Sequence, residues 1–419
     1  MTLKLNYKNP KIIKMKNMKT KSFFLILICF AFQISNSQIK NTKVLTNVNT
    51  KPVIYGINST AKWTKFKPNV HGFKFVNTFS GVDASARWGG LCGGMVYGAL
   101  DYYYANMTIP KQTFAPANRY PLQSYLFNRQ SHSMQESNFD KWAELYINPG
   151  GIRNNEFFGW GIEMKNSGDR MSELKSEIDK GNPVPLGLYH TDDAAKFGYS
   201  RGGDHQVLAI GYDFGRYKGD KGSFIEDFKI FIYDPNFPLE IKTLVADNVN
   251  KCFHYLETNG EKPKAWLTYF VNKKYEKHTP LNITDFDNKK TLFARVGTGK
   301  DDLRGGNDNL CITINYRDGS KQAFPNVNKS AVWVERYCEV VPLILNREIN
   351  NRNEISSITL DCSFNGGWNG ENWDMSEFKI TTYDEYNVIV NGLTTFKRDG
   401  YDLIKRFTGD DKYLTLNVR

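Results

Sequence analysis

Trp88-Gly89-Gly90-Leu91-Cys92-Gly93-Gly94-Met95-Val96-Tyr97-Gly98-Ala99-Leu100-Asp101-Tyr102-Tyr103-Tyr104 is the stretch that organises this 419-residue chain. After Gly94, the residues Val96, Ala99, Leu100 and Tyr103 recur at i, i+3, i+4 and i+7, the spacing of one apolar helix face. Cys92 therefore stands at or just before a helix start. The first amides of a helix lack carbonyl partners within it and mark the positive end of its dipole, so they favour the thiolate, the attacking form of cysteine. The flanking glycines let another backbone approach and leave an amide free to face an oxyanion. A buried structural thiol beside a glycine cluster used for helix packing would give the same pattern, and this segment alone does not separate the two.

A second stretch supplies a base. Gly202-Gly203-Asp204-His205-Gln206-Val207-Leu208-Ala209-Ile210-Gly211-Tyr212-Asp213 predicts a strand with His205 at its head and a turn from Gly211. In Phe228-Lys229-Ile230-Phe231-Ile232-Tyr233-Asp234-Pro235-Asn236, alternating Phe228, Ile230 and Ile232 predict the next strand, which Pro235 ends, leaving Asp234 at its tip. Three alternatives stay open. His205 could be a structural histidine held by Asp204, His190 is a rival base, and Asn236 is a rival to Asp234 as the group that orients the imidazole. No Cys-x-x-Cys or His-x-x-x-His spacing supports zinc among these residues.

A cysteine at a helix start, then a histidine heading a strand, then a carboxylate or amide ending the next, is the order of nucleophile, base and orienting group in papain-like folds. The chain resembles the papain-like cysteine peptidases, and among them most the bacteriocin-leader-processing peptidases and their stand-alone relatives. The resemblance is carried by Cys92 to Met95, Gly181-Asn182-Pro183-Val184-Pro185-Leu186-Gly187-Leu188, His205 to Asp213, and Tyr233 to Asn236, and it covers roughly residues 75–240. It implies Cys92 as nucleophile, His205 as base and later acid, Asp234 as orienting group, and a thioester acyl-enzyme released by water. Transfer of the acyl group to an amine would use the same three residues. The family usually carries a Gln several residues before the nucleophile as an oxyanion donor, and no Gln or Asn lies between Phe79 and Leu91. Ser85, the Trp88 indole or the backbone amides of Cys92 and Gly93 would serve instead. Losing one such donor typically costs about 100- to 1000-fold in turnover.

The net charge of +11 and 14% aromatic content suggest at first a folded protein for nucleic acid or an anionic surface. The charge, however, is concentrated at the front. Lys4, Lys8, Lys11, Lys14, Lys16, Lys19 and Lys21 precede the apolar run Phe23–Phe32, and Ser35-Asn36-Ser37 fits a signal-peptidase site. Met18 is the more natural start of such a signal. About ten apolar residues are too few for a span that needs roughly 20. Residues 1–37 are thus expected to be a signal peptide, giving a secreted or periplasmic protein without a transmembrane anchor. Their removal leaves 48 basic and 44 acidic residues, and the case for a nucleic-acid partner goes with them. Five cysteines then remain, Cys92, Cys252, Cys311, Cys338 and Cys362, an odd number in an oxidising compartment. Strand alternation places Cys311 and Cys362 on opposite faces, against a bridge between them.

The expected organisation is α+β: an extended leader or linker over residues 38–60, a papain-like cysteine peptidase domain over 61–280, and an all-β sandwich over 284–419. The last zone has short alternating apolar runs at Leu310–Tyr316, Ile355–Phe364, Phe378–Thr382 and Tyr413–Val418. It loosely resembles sandwich accessory domains of exported bacterial enzymes, including the lipoxygenase-homology kind, which implies a carbohydrate, lipid or cell-surface ligand. Asp301, Asp302, Asp308 and Glu371 are hard oxygen ligands of the kind calcium takes, with solvated loop acids as the plain alternative. Trp368 and Trp373 suit either a sugar-stacking platform or the core. The expected function is an exported cysteine peptidase or related amide hydrolase acting on a peptide or protein, with no required cofactor. The alternative is a catalytically silent papain-like protein that binds a surface or carbohydrate through its sandwich.

Overall fold

The computed structural model describes residues 60–79, 82–83, 86–87, 90–135, 137–258, 260–364, 372–382, 388–393 and 395–418. The expected signal peptide and all but the last residue of the expected leader, together with Ser85, Trp88, Trp368 and Glu371, lie outside them. The described part is an α+β protein in which the longer helices precede most strands of two groups of largely antiparallel sheets. No described helix is long and apolar enough to cross a membrane.

After a one-turn helix at Pro68–His71, five longer helices follow: α1 (Cys92–Ala105), α2 (Pro121–Ser133), α3 (Ser137–Tyr146), α4 (Asn154–Ile162) and α5 (Arg170–Asp179). The one-faced pattern expected of α1 undersells it, because every residue from Gly93 to Tyr102 is buried. A helix apolar on all sides belongs inside a core. Its packing against α2 depends on Gly94, where a Cβ would lie 2.0 Å from the Leu126 carbonyl oxygen. A buried ion pair also joins the two helices, Arg129 Nε to Asp101 Oδ2 at 2.8 Å, with Tyr125 and Tyr275 hydroxyls donating to the same carboxylate.

The first sheet contains β1 (Lys62–Trp63), β2 (Val184–His190), β3 (Ser200–Arg201), β4 (His205–Asp213), β5 (Lys229–Tyr233), β6 (Lys242–Asp247), β7 (Cys252–Tyr255) and β8 (Lys264–Val271). Its order is β1-β4-β2-β8-β7-β6-β5, and β5 pairs back onto β4, so six strands close into a ring. β4 runs two residues past the expected turn, to Asp213. It is covered on both faces: Val207 and Ala209 pack with α4, α5 and the ring interior, while Leu208 and Ile210 pack with α1. That double cover explains its unbroken apolar run, where a half-exposed strand would alternate.

After an irregular stretch over residues 276–285, the strands β9 (Thr291–Thr298), β10 (Asn309–Tyr316), β11 (Lys321–Phe324), β12 (Cys338–Ile344), β13 (Ile355–Ser363), β14 (Trp373–Thr381), β15 (Val388–Asn391), β16 (Phe396–Arg398), β17 (Tyr401–Leu403), β18 (Lys405–Phe407) and β19 (Tyr413–Asn417) follow. One sheet runs β12-β9-β14-β15 with β18 on β14, and the other runs β11-β10-β13-β19. Both contribute to one apolar core, and β10 alternates buried and half-buried along its length, as the sequence pattern predicts. Cys311 pairs across from Asp361 while Cys362 is in the core, so the two thiols do face opposite ways. All five described cysteines are free thiols. The two groups of sheets meet through residues 117–120, where Asn118 N–H donates to Glu339 Oε2 at 3.3 Å and Tyr120 Oη–H to the Val327 carbonyl at 3.1 Å.

Candidate active site

α1 begins at Cys92, so the thiol sits on the first helical residue, half-buried. Three segments distant in sequence meet there. β4 opens with His205, and Asp234 follows the last residue of β5. Leu208 of β4 pairs with Tyr233 of β5, which brings the start of one strand beside the end of the other. His205 Nε2 is 2.6 Å from Asp234 Oδ1, and the Cys92 sulfur is near enough to the same imidazole to favour its charged form.

Burial works against a charged His205, but the Asp234 carboxylate, the hydrogen bond to it and the Cys92 sulfur outweigh it and hold the pKa above its usual range. Burial likewise opposes ionised Asp234, and the His205 charge with three hydrogen-bond donors pulls its pKa down. The donors are His205, the Tyr255 hydroxyl to Oδ2 at 2.7 Å, and the Asn236 amide to Oδ1 at 2.7 Å. Both shifts favour an imidazolium facing a carboxylate.

Each open alternative now has a position. Asp204 does not hold His205: its Oδ1 is 2.7 Å from His190 Nδ1, and the Tyr146 hydroxyl donates to its other oxygen. His190, the rival base, is committed to that separate pair. Asn236 does not replace Asp234: its backbone amide donates to that carboxylate, and its Nδ2 lies 3.2 Å from His205 Nε2, a nitrogen already committed to Asp234. The first-turn amides of α1 are only partly used, since Gly94 N–H donates to Gln130 Oε1 at 2.9 Å. Those of Cys92 and Gly93 have no helical carbonyl to reach. Gly93 is buried, and a Cβ there would lie 2.2 Å from Ser133 Oγ and 2.3 Å from Gln206 Nε2.

Gln206 escaped the sequence reading although it adjoins His205. Its backbone N–H points at Cys92 Sγ, 3.4 Å away, and its side chain donates to Ser133 Oγ at 2.9 Å. Asn77 and Tyr255 were equally silent, being far in sequence from every motif.

In the sandwich, Asp301 pairs with Arg406 at 2.9 Å and Asp302 Oδ1 accepts from the Glu335 amide at 2.6 Å. Asp308 is buried in the turn beyond. No metal-holding group of three His, Cys, Asp or Glu residues occurs among the described residues. Trp373 is fully buried and stacks on Phe407, so it belongs to the core and not to a sugar platform.

No protein-family model and no curated protein matches this chain. Part of it is similar to the alpha-toxin of Clostridium perfringens avian strain SWCP, at 17% identity and a TM-score of 0.25 over 33% of this chain and 34% of the toxin. The alpha toxin of Clostridium absonum is similar at 15% identity and a TM-score of 0.23, over 33% of this chain and 35% of that one. A LOX carrying Delta413-417:GS is similar at 14% identity and a TM-score of 0.21, over 31% of this chain and 16% of that one. The chain therefore spans about a third or less of each of these proteins, and the likenesses are too slight to bear on function.

Proposed function

We propose that this protein is an exported cysteine-type amide hydrolase of the papain-like kind, acting on peptide or protein through Cys92, His205 and Asp234, with the sandwich as an accessory binding module. The observation that carries the reading is the meeting of three distant segments in the order of the motifs: Cys92 opens α1, the Gln206 amide next to His205 lies 3.4 Å from its sulfur, and His205 lies 2.6 Å from Asp234.

The protonated imidazole provides the positive charge an attacking thiolate needs beside it. The sulfur would add to the amide carbonyl, and the resulting oxyanion would face the amides of Cys92 and Gly93 at the positive end of α1. His205 would give its proton to the leaving amine as the C–N bond breaks, leaving a thioester on Cys92. It would then take a proton from water, whose hydroxide displaces the sulfur and releases the acid. Asp234 keeps the ring oriented and balances its charge throughout.

The test is hydrolysis of a mixed-sequence peptide library, with a thiol-directed probe read out by peptide mass. The wild type is expected to cleave and to be labelled first at Cys92, because burial raises the pKa of Cys252, Cys311, Cys338 and Cys362. Unchanged hydrolysis by Cys92→Ala, or no preference for Cys92 in labelling, would overturn the reading.

A further inference from the structure

The nucleophile and its base are on different elements, so their separation depends on how the start of α1 is held against the Asp234–Asn236 loop. One side chain makes that connection. Asn77 Oδ1 accepts from the Leu91 amide, one residue before Cys92, at 2.7 Å. Asn77 Nδ2 donates to Asn236 Oδ1 at 3.2 Å, and the Asn77 backbone N–H donates to the Pro235 carbonyl at 3.0 Å. Asn236 is thereby turned so that its own Nδ2 lies 3.2 Å from His205 Nε2.

We propose that Asn77 is a positioning residue of the Cys92 site, its carboxamide setting the start of the nucleophile helix against the loop that holds the His205 imidazole. The proposal rests on the cysteine-hydrolase reading. The chemistry requires an amide, because one planar group must accept from Leu91 and donate to Asn236. A carboxylate would accept from Leu91 but turn an oxygen toward the Asn236 oxygen, and an alkyl group would do neither. Gly90 fits the same assignment: its φ is +133°, and a Cβ there would lie 2.7 Å from Asn77 Nδ2. A glycine leaves the amide its place.

The experiment follows the rate of Cys92 alkylation by iodoacetamide between about pH 5 and about pH 9, by peptide mass, with thermal midpoints as a folding control. It compares the wild type, His205→Ala, Asn77→Leu and Asn77→Asp. Asn77→Leu is expected to slow alkylation by about 10-fold or more and to move the pH profile toward that of His205→Ala, since small misplacements of reacting groups cost up to about 100-fold. Asn77→Asp, which keeps the shape and the Leu91 acceptor, is expected to fall between, and it decides the matter if the leucine variant does not fold. Rates within about twofold of wild type and an unchanged profile in the folded Asn77 variants, with His205→Ala still slow, would overturn the Asn77 assignment alone. If His205→Ala leaves alkylation unchanged, the hydrolase reading and this proposal fall together.

Discussion

Asp234 Oδ1 receives both His205 Nε2, at 2.6 Å, and the Asn236 amide, at 2.7 Å, in a site where the carboxylate is only 1% exposed. A buried charge so placed must keep its partner. Asp234→Asn retains the shape but removes the countercharge and permits the wrong imidazole tautomer. Hydrolysis, or in its place Cys92 alkylation, should fall by about 100-fold to 10,000-fold, as measured by initial rates against wild type.

The same pair has a pH signature. The folded-state pKa of His205 is raised, so its contribution to stability is fully present below the unfolded value near 6.5 and is lost as pH rises through the folded value. The urea midpoint of the wild type should therefore drop between about pH 7 and about pH 10 more than that of His205→Gln. Parallel curves for the two proteins would contradict the ion pair.

Glu339 presents a second titration, away from the site. Burial pushes its carboxyl pKa up to about 7, against the opposing effect of the Asn118 amide. With the folded pKa above the unfolded value near 4.3, its contribution is greatest below that value and declines as pH rises through 7, by up to about 4 kcal/mol. Glu339→Gln should match wild type near pH 4 and exceed it near pH 8, read from denaturant midpoints.

Arg129 and Asp101 have side chains 2% and 0% exposed. Arg129→Ala would strand a buried carboxylate and should cost about 3–5 kcal/mol, whereas replacing both residues together with apolar ones of similar volume should cost far less. Chemical denaturation of the single and double variants separates the two outcomes.

Gly94→Ala should be among the most damaging small substitutions in the chain. The added methyl meets the Leu126 carbonyl at 2.0 Å, a backbone atom that cannot rotate away. Prising α1 from α2 should cost about 1–3 kcal/mol or more, measured as a fall in the urea midpoint.

Cys92, His205 and Asp234 were each legible because local sequence marks them: a glycine-flanked helix start, the head of an apolar run, and a strand stopped by proline. The strands of the second half were legible through period-two alternation. What stayed hidden lies in long-range partnership. Asn77 meets Leu91 across 14 residues and Asn236 across 159, and nothing in Phe75-Val76-Asn77-Thr78-Phe79 announces either bond. Tyr255 reaches Asp234 from β7, and the burial of α1 on all sides could not be seen because its aromatic residues look the same exposed or enclosed. The ring closure of β5 onto β4 is likewise a property of pairing, which periodicity does not encode.

That ring sets an order of events during synthesis. β8 is the strand that links β2 to β7, and its last residue is Val271. A chain emerging N-terminus first has made Cys92 long before β8 can close the circle around β4, and contacts so far apart in sequence form slowly. β4 has its own neighbours β1, β2 and β5 by residue 233, but the ring stays open until residue 271 has arrived. The sheet that carries His205 and Asp234 is therefore closed only when nearly two thirds of the polypeptide exists, although both residues and Cys92 are made by residue 234.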